Sequence, residues 1–391
     1  MRDTEQMPSD QRRLVVAGAS VVAVSYGMAR FALGLSTPRI VEDQVATSAE
    51  IGLASSLSFL TYVLACFVSS RLLNSGRWKT SVLLVLLTAT VGTLMVAMSS
   101  SAPLFMSGIG VAGAAAGFSS GAIAYRLAQE ISPAQEARAQ SIANAGTGIG
   151  VAISTGILLA VSSWRLVFVV AAVLACVVCL WFLRLKTSSP ATAAGGSSDE
   201  ARGEWRALLF PILLTILMGA GSSVYWTYGR ALAEEQGGLS DFQSLLFWGA
   251  IGVAGIGGAL AGDVASRMGL KLSWTLCSVI LGLSILCLPL CSNVVFAVLS
   301  GALFGAFYTV VTGLTIELGR QSWPRAVGAA TGILFATIAV GQTAGSMLNG
   351  LALTNLSMEL LFTLGGIATL VAGALIWGMK KKTDPSPSSV G

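Results

Sequence analysis

Twelve long apolar runs dominate the sequence, and they constrain its fold more than any other feature. A helix needs about 20 apolar residues to cross the roughly 30 Å hydrocarbon core, because in lipid every backbone N–H and C=O must be paired internally. Only 10% of the 391 residues are charged, against about a quarter in soluble chains. The sequence therefore predicts an all-α membrane protein. The predicted spans are 14–35, 51–70, 81–99, 104–124, 141–161, 166–185, 208–228, 245–261, 272–290, 294–316, 327–348 and 356–377.

The basic residues sort to one side of these spans. Of the 23 Lys and Arg residues, all but four fall on the side of the chain ends, and the exceptions are Arg30, Arg39, Arg165 and Arg230. Basic residues accumulate on the cytoplasmic side, so we expect both termini to be cytoplasmic. We interpret the net charge of +5 as an orientation signal and not as nucleic-acid binding. The short loops are typical of a multi-pass protein of a bacterial inner membrane.

A polar segment divides the chain into two halves. Residues 186–206 are rich in Ser, Thr, Ala and Gly, a composition typical of a flexible tether. Both halves contain six spans and begin on the same side, which predicts parallel repeats related by an axis along the membrane normal. The predicted parts are a cytoplasmic tail (1–13), an N-terminal bundle (14–185), a cytoplasmic linker (186–206), a C-terminal bundle (207–379) and a second cytoplasmic tail (380–391).

Two loop motifs give the chain a resemblance to a known family. In the segment from Gly258 to Lys271, an Asp follows the first Gly by five positions, and an Arg and a Gly come next. This pattern resembles the signature cytoplasmic loop of the major facilitator superfamily, and Trp164-Arg165 at the start of the sixth span is also common there. The run 26–31, Tyr-Gly-Met-Ala-Arg-Phe, resembles the YbfB-type branch. The resemblance implies a twelve-helix transporter with the major facilitator fold.

The same resemblance implies a gating latch at the cytoplasmic helix ends. The residues assigned to it are Gly258, Asp263, Arg267, Gly269 and Arg77, with Glu317 as a further partner. The alternative is a solvated loop whose charges only set topology. In the N-terminal copy of the loop Leu73 stands where the motif has Asp263, and the fourth span lacks the Arg often found in family proton antiporters. This second departure weakens a proton-driven efflux function.

Arg30 is the leading candidate for substrate binding. It lies about 24 Å into the first predicted span at about 1.5 Å per residue, where a charge is costly unless it is paired or solvated. No Asp or Glu falls clearly within a predicted span, and the chain has no His. One interpretation is that Arg30 faces a water-filled cavity and binds a carboxylate. The other is that it snorkels outward or binds backbone carbonyls.

Neutral polar and aromatic side chains could complete such a site. Tyr26 precedes Arg30 by four residues and therefore shares its helix face. The further candidates are Tyr225, Trp226, Asn144, Tyr308 and Gln342. The alternatives are helix-to-helix hydrogen bonds for the polar groups and an interfacial belt for Trp226, Tyr228 and Arg230. The Gly-rich fifth and eighth spans, which meet across the halves in the family, are expected to form a sliding interface.

These observations favour a secondary active or facilitative transporter that moves a small solute, an organic anion such as a carboxylate, by alternating access. The alternative is proton-coupled efflux of drug-like or amphiphilic compounds, and a membrane enzyme or sensor is more remote. Without His the chain lacks the commonest general base and metal ligand, and we expect neither enzyme activity nor a cofactor or metal. The six Cys lie in or at the ends of apolar spans, which favours packing. A single chain with two halves is expected to work as a monomer.

Overall fold

The computed structural model describes residues 7–186, 206–324 and 327–379, except for the side chains at positions 133, 134, 137, 262, 263 and 328. Within these residues, twelve helices are long and apolar enough to span a membrane, as the sequence predicts. Residues 1–6 of the predicted N-terminal tail, most of the predicted linker and the whole predicted C-terminal tail lie outside the described residues. Ser9 to Arg13, predicted as tail, already belong to the first helix.

Each half contributes six of the twelve spans. The first half contains α1 (Ser9–Val22), α2 (Ala32–Glu42), α3 (Ser48–Asn74), α4 (Trp78–Ala97), α5 (Ala102–Glu130), α6 (Pro133–Ala160) and α7 (Trp164–Arg184). The second half contains α8 (Leu209–Glu235), α9 (Asp241–Gly255), α10 (Ala261–Met268), α11 (Leu270–Cys287), α12 (Val294–Ser322), α13 (Val327–Ala352) and α14 (Met358–Leu375). The short α10 lies in the loop that carries the family motif, and α1 and α2 together form the first span.

Successive spans alternate in direction, which defines two faces of the bundle. We call the face of residues 7 and 379 the terminal face, and the other the far face. Far-face helix starts are fixed by N-caps: Thr47 and Glu50 form a capping box on α3, and Ser240 and Gln243 form one on α9. These bonds satisfy backbone N–H groups that a helix start leaves unpaired, so the ends are sharply set.

The first span is longer than predicted and is not a uniform α-helix. It runs over Ser9–Glu42, and its middle, Ala23–Met28, is a π-helical turn. Ala29 N–H donates to Val24 O at 2.8 Å, and Phe31 N–H donates to Tyr26 O at 2.9 Å. Each bond reaches back five residues and not the four of an α-helix, so the turn is wider and contains one extra residue. Such turns occur often at functional sites, and the position of Arg30 just beyond this one fits that tendency.

Apolar side chains cover the outer surface of the bundle. On α3, Leu60, Leu64 and Phe67 are 44%, 55% and 61% exposed. Their spacing places them on one helix face. Side chains of this kind are costly to expose to water but are compatible with hydrocarbon, so this surface is the one that lipid covers.

Glycines bring helices of the two halves into contact. A Cβ at Gly148 of α6 would collide with the backbone oxygen of Gly252 of α9, so the fifth and eighth spans meet across the halves as expected. The neighbours of Gly148 do not share this role. Gly146 and Gly150 pack on the backbone of the first span, because they lie on another face of α6. The contact between the fifth and eighth spans therefore uses fewer glycines of α6 than the Gly-rich sequence of that span predicts.

Candidate functional site

A cavity lies between the two halves and extends from Arg30 toward the terminal face. Its empty space, with the open mouth included, is about 690 Å³. Ser141, Thr312 and Phe335 in its wall lie within about 15 Å of the helix ends at the terminal face, at about 1.5 Å per residue. The lining residues are Val22, Tyr26, Arg30, Phe31, Tyr62, Ser141, Asn144, Ala145, Thr147, Gly258, Tyr308, Thr309, Thr312, Gly313, Phe335, Ile338, Ala339 and Gln342.

Arg30 is the charged residue of this lining. Its side chain is buried, and Nη2 donates to Gln342 Oε1 at 3.3 Å. Its buried Nε has no hydrogen-bond partner among the described residues. None of the lining residues is acidic, so the guanidinium has no counter-ion within the cavity wall. The contacts described for Arg30 are with the cavity and its neighbouring rings, and not with backbone carbonyls.

Aromatic rings surround the Arg30 guanidinium. Its Cζ lies 4.2 Å from the ring centroid of Phe59 and 4.5 Å from that of Tyr62. The rings of Tyr26 and Phe31 are 5.6 and 5.5 Å away. Each cation–π contact contributes about 0.5 to 2 kcal/mol, depending on desolvation. The rings therefore stabilise a buried cation while leaving its charge uncompensated.

Tyr26 belongs to a chain of hydroxyl groups beside Arg30. Its OH donates to the OH of Tyr62 at 3.1 Å and forms a short hydrogen bond with Ser120 Oγ. Tyr26 lies inside the π-helical turn, so the wide turn sets its position relative to Arg30. These bonds fix the phenol rings that form one wall of the cavity.

Gln342 connects the two halves across the cavity. Its Oε1 accepts the bond from Arg30, and its Nε2 donates to the OH of Tyr308 at 3.0 Å. Arg30 belongs to the first half, whereas Gln342 on α13 and Tyr308 on α12 belong to the second. A ligand on Arg30 would therefore contact both halves at once.

Five of the seven predicted binding residues line this one cavity: Tyr26, Arg30, Asn144, Tyr308 and Gln342. Tyr225 and Trp226 do not line it. Tyr225 is fully buried, stacks on Phe304 with ring centroids 3.8 Å apart and bonds to Ser300. Trp226 stacks on Phe31, which itself lines the cavity, so it supports the wall from behind.

The interfacial belt considered for the seventh span is wrong. Trp226, Tyr228 and Arg230 are 4%, 0% and 0% exposed. Belt residues need one side toward lipid headgroups, and these three face the other half of the protein. In the seventh span, the aromatic residues Trp226 and Tyr228 precede Arg230. Aromatic residues and Arg occur both in interfacial belts and in buried helix contacts, so this order does not show which way a helix side faces.

Charged groups close the far face between the halves. Arg39 of α2 donates from Nε to Asp241 Oδ1 at 3.1 Å and from Nη2 to Oδ2 at 2.7 Å. The buried Arg230 donates to the same carboxylate at 2.6 Å and pairs with Glu234 at 2.9 Å. We call Arg39, Arg230, Glu234 and Asp241 the far-face lock. It joins the first half, through Arg39, to the second.

Donors on both halves also bind backbone carbonyls of the other half at this face. Arg230 donates to Leu35 O, Thr37 to Thr227 O, Ser56 to Thr343 O and Tyr228 to Ser48 O. The backbone of Gly34 approaches that of Trp226 so closely that a Cβ there would collide with the carbonyl oxygen. The far face is therefore tightly closed, and the cavity is shut on this side.

The structure describes part of the predicted latch on the terminal face. Arg77 and Arg267 are exposed, and the side chain of Asp263 lies outside the described residues. Glu317 pairs with Arg320 and accepts a bond from Gln321, so its described partners are on its own helix. Gly269 has a φ of +75° between α10 and α11, a conformation that favours glycine. Gly258 lines the cavity against Thr309.

Sequence reasoning missed several residues of the site. Tyr62 lines the cavity and Phe59 covers Arg30; both lie on α3 with the i, i+3 spacing of one helix face. That spacing was a detectable signal, but nothing in the sequence pairs α3 with the first span. The far-face lock was missed for a similar reason, because Arg39 and Asp241 are 202 residues apart.

Comparisons with known proteins agree with this architecture. The family model of the Major Facilitator Superfamily matches residues 19–322. The structure is similar to that of the xylose transporter XylE from E. coli in a partially occluded inward open conformation. The TM-score is 0.74 at 13% identity, with 95% of this chain and 98% of that chain covered.

A crystal structure of a mutant of the nucleoside transporter NupG is similar as well, with a TM-score of 0.72, 13% identity, and 94% and 100% of the two chains covered. At such identities the likeness shows the fold alone. No curated protein matches the sequence.

Proposed function

Because this chain belongs to the major facilitator superfamily, we propose that it carries a small organic anion, such as a carboxylate, across the membrane by alternating access. Arg30 is the observation that carries this proposal. A buried guanidinium without a counter-ion is costly at membrane depth, and an anion in the cavity would supply the missing charge. The planar fork of Arg binds a carboxylate through two parallel hydrogen bonds.

The transport cycle follows from the closed far face and the cavity on the terminal side. In alternating access, the two halves rock around a site near the membrane midplane. The far-face lock would have to open, and the terminal face to close, before a substrate on Arg30 reaches the other side. Tyr26 and Tyr62 from the first half and Gln342 and Tyr308 from the second would hold that substrate in both states.

The orientation of the cycle rests on the distribution of basic residues. The positive-inside rule places the terminal face in the cytoplasm, so the described conformation would be open inward. We infer that the protein works as a monomer in a bacterial plasma membrane, since the cavity is complete within one chain. Direction of net transport then depends on the gradients of the substrate and of any exchanged anion.

The residues of the cavity also bear on how transport is energised. The sequence contains no nucleotide-binding P-loop motif and no His, and the lining contains no Asp or Glu. Proton relays in membranes usually use such side chains. Uniport, anion exchange, or symport in which the substrate carries the proton therefore fits better than proton-coupled efflux. An unpaired cation in the site also disfavours cationic amphiphiles.

A thermal-shift and uptake series tests the proposal on the whole protein. Carboxylates, sugars, nucleosides and cationic amphiphiles are compared as ligands of the wild type and of Arg30→Gln. Arg71→Gln is the matched control, because Arg71 is exposed at the end of α3 and is not among the residues that line the cavity. We expect stabilisation by a carboxylate that Arg30→Gln loses and Arg71→Gln keeps. Stabilisation by neutral or cationic compounds that persists in Arg30→Gln would overturn the proposal.

A further inference from the structure

The charged and apolar groups in the cavity wall limit the net charge of the ligand that can bind there. We infer that the substrate is a monocarboxylate with an apolar body, and that dicarboxylates are rejected. This inference rests on the proposed function, since it concerns the same site on Arg30. Three features of the described residues support it: the number of cations, the free edge of the guanidinium, and the chemistry of the remaining wall.

Arg30 is the one cation among the described residues that line the cavity, and arginines at the far face are engaged in ion pairs. Arg230 lies five residues before the end of α8 and is held in the far-face lock. Arg39 pairs with Asp241, and Arg165 pairs with Asp43. A second carboxylate in the cavity would have to leave water without meeting a second positive charge, which is unfavourable at membrane depth.

The surroundings of Arg30 leave room for one carboxylate. The rings of Phe59 and Tyr62 lie close to the guanidinium carbon, and Nη2 is bonded to Gln342. The buried Nε remains without a hydrogen-bond partner among the described residues. An incoming carboxylate can therefore satisfy Nε and one neighbouring nitrogen as a pair. A second anionic group would have to share the single positive charge of this guanidinium, which the first carboxylate already balances.

The rest of the wall suits an uncharged, mainly apolar body. Val22, Phe31, Ala145, Phe335, Ile338 and Ala339 supply apolar surface to the cavity. The polar lining groups are neutral amides and hydroxyls, such as those of Asn144 and Thr312. Such a wall binds an aryl or branched aliphatic group and tolerates a hydroxyl or carbonyl on it. A small inorganic anion would leave this surface unfilled.

Matched aromatic acids separate charge from size. Benzoate, 4-carbamoylbenzoate and terephthalate share one ring; the last two have nearly the same length, but terephthalate carries a second charge at neutral pH. Binding of each to the full-length protein is measured by calorimetry in detergent at pH 7.5, with counterflow in proteoliposomes as a second readout. We expect 4-carbamoylbenzoate to bind and terephthalate to bind at least about tenfold more weakly.

The outcomes distinguish this inference from the proposed function. If terephthalate binds as tightly as 4-carbamoylbenzoate and both require Arg30, the single-charge inference is overturned while the anion site stands. If both para-substituted acids fail and benzoate binds, the discrimination is one of length, which also overturns the inference. If no carboxylate in a wider series binds in an Arg30-dependent manner, the proposed function itself fails. The wild-type ligand series remains decisive even if Arg30→Gln does not fold.

Discussion

Arg39 and Asp241 face each other across the boundary between the two halves, joined by two hydrogen bonds of 3.1 and 2.7 Å. Each residue has a further attachment within its own half: Arg39 donates to Ser162 O at 2.6 Å, and Asp241 accepts from Arg230. The pair therefore connects the two halves through residues that are also bonded within their own halves. Its strength should influence the equilibrium between the two states of the transporter.

Asp241→Asn tests the far-face lock. Loss of the carboxylate charge leaves Arg39 and Arg230 with weaker partners, although Glu234 still pairs with Arg230. We expect the far-face-open population to rise about tenfold, equivalent to about 1.4 kcal/mol. Hydrogen exchange of backbone amides at the far-face ends of α2, α8 and α9 should increase accordingly.

Asp43→Asn is the control for this measurement. Asp43 lies at the same face but bonds to Trp164 and Arg165, which belong to its own half. Exchange at the far-face ends of α8 and α9 in this variant should match the wild type. Equal opening by both substitutions would show that the lock does not connect the halves in the way described.

Gly34→Ala tests whether close backbone contact keeps the far face shut. A Cβ at this position would collide with the carbonyl oxygen of Trp226 and the ring of Trp248, so α2 and α8 would have to separate. Gly156→Ala adds the same methyl group to α6, where nothing beyond the adjacent backbone of its own helix lies within 4 Å of the added carbon. Distances between spin labels at the two far-face bundle edges should lengthen in the first variant only. An unchanged distance distribution in Gly34→Ala would contradict the close contact.

Gln342→Glu places a carboxylate beside Arg30. The new side chain can form an ion pair in the place of the 3.3 Å hydrogen bond, and it would then compete with an anionic ligand. We expect affinity for carboxylates to fall at least about tenfold while the protein remains folded. Gln243→Glu makes the same chemical change in the capping box of α9, where Glu also satisfies the cap. Retained affinity in Gln342→Glu would argue against a ligand on Arg30.

The pH dependence of the melting temperature should show how much the Asp43 carboxylate contributes to stability. The bond from Trp164, and then Arg165, holds the pKa of this carboxyl below its usual value of 3.8. Because the folded-state pKa is the lower one, its stabilisation is present above the unfolded-state value and is lost as pH falls through the folded-state value. The melting temperature of the wild type should exceed that of Asp43→Asn at pH 6, and the difference should shrink below about pH 4. Asp43 is 47% exposed, so the difference corresponds to about 1 kcal/mol or less.

The sequence predicts the number of spans and part of the site, because both depend on residues that are close together in the chain. An apolar run of span length has few alternatives to a membrane helix, and Tyr26 and Arg30 share a face because of their spacing on one helix. Tyr225 and Trp226 were misassigned because the rotation of α8 depends on neighbours far along the chain. The π-helical turn at Ala23–Met28 has no residue signature, and it decides where Arg30 points.

Several far-face contacts join a side-chain donor on one half to a backbone carbonyl on the other, as Thr37 does with Thr227 and Ser56 with Thr343. A carbonyl oxygen is present whatever amino acid occupies its position. Substitution of the residue that carries the acceptor thus leaves the carbonyl oxygen in place. Only the identity of the donor side chain has to be kept for the hydrogen bond to form. The acceptor positions of the two bundles can therefore change in sequence while these contacts between the halves are kept. This tolerance allows the two halves to carry different binding groups around one cavity.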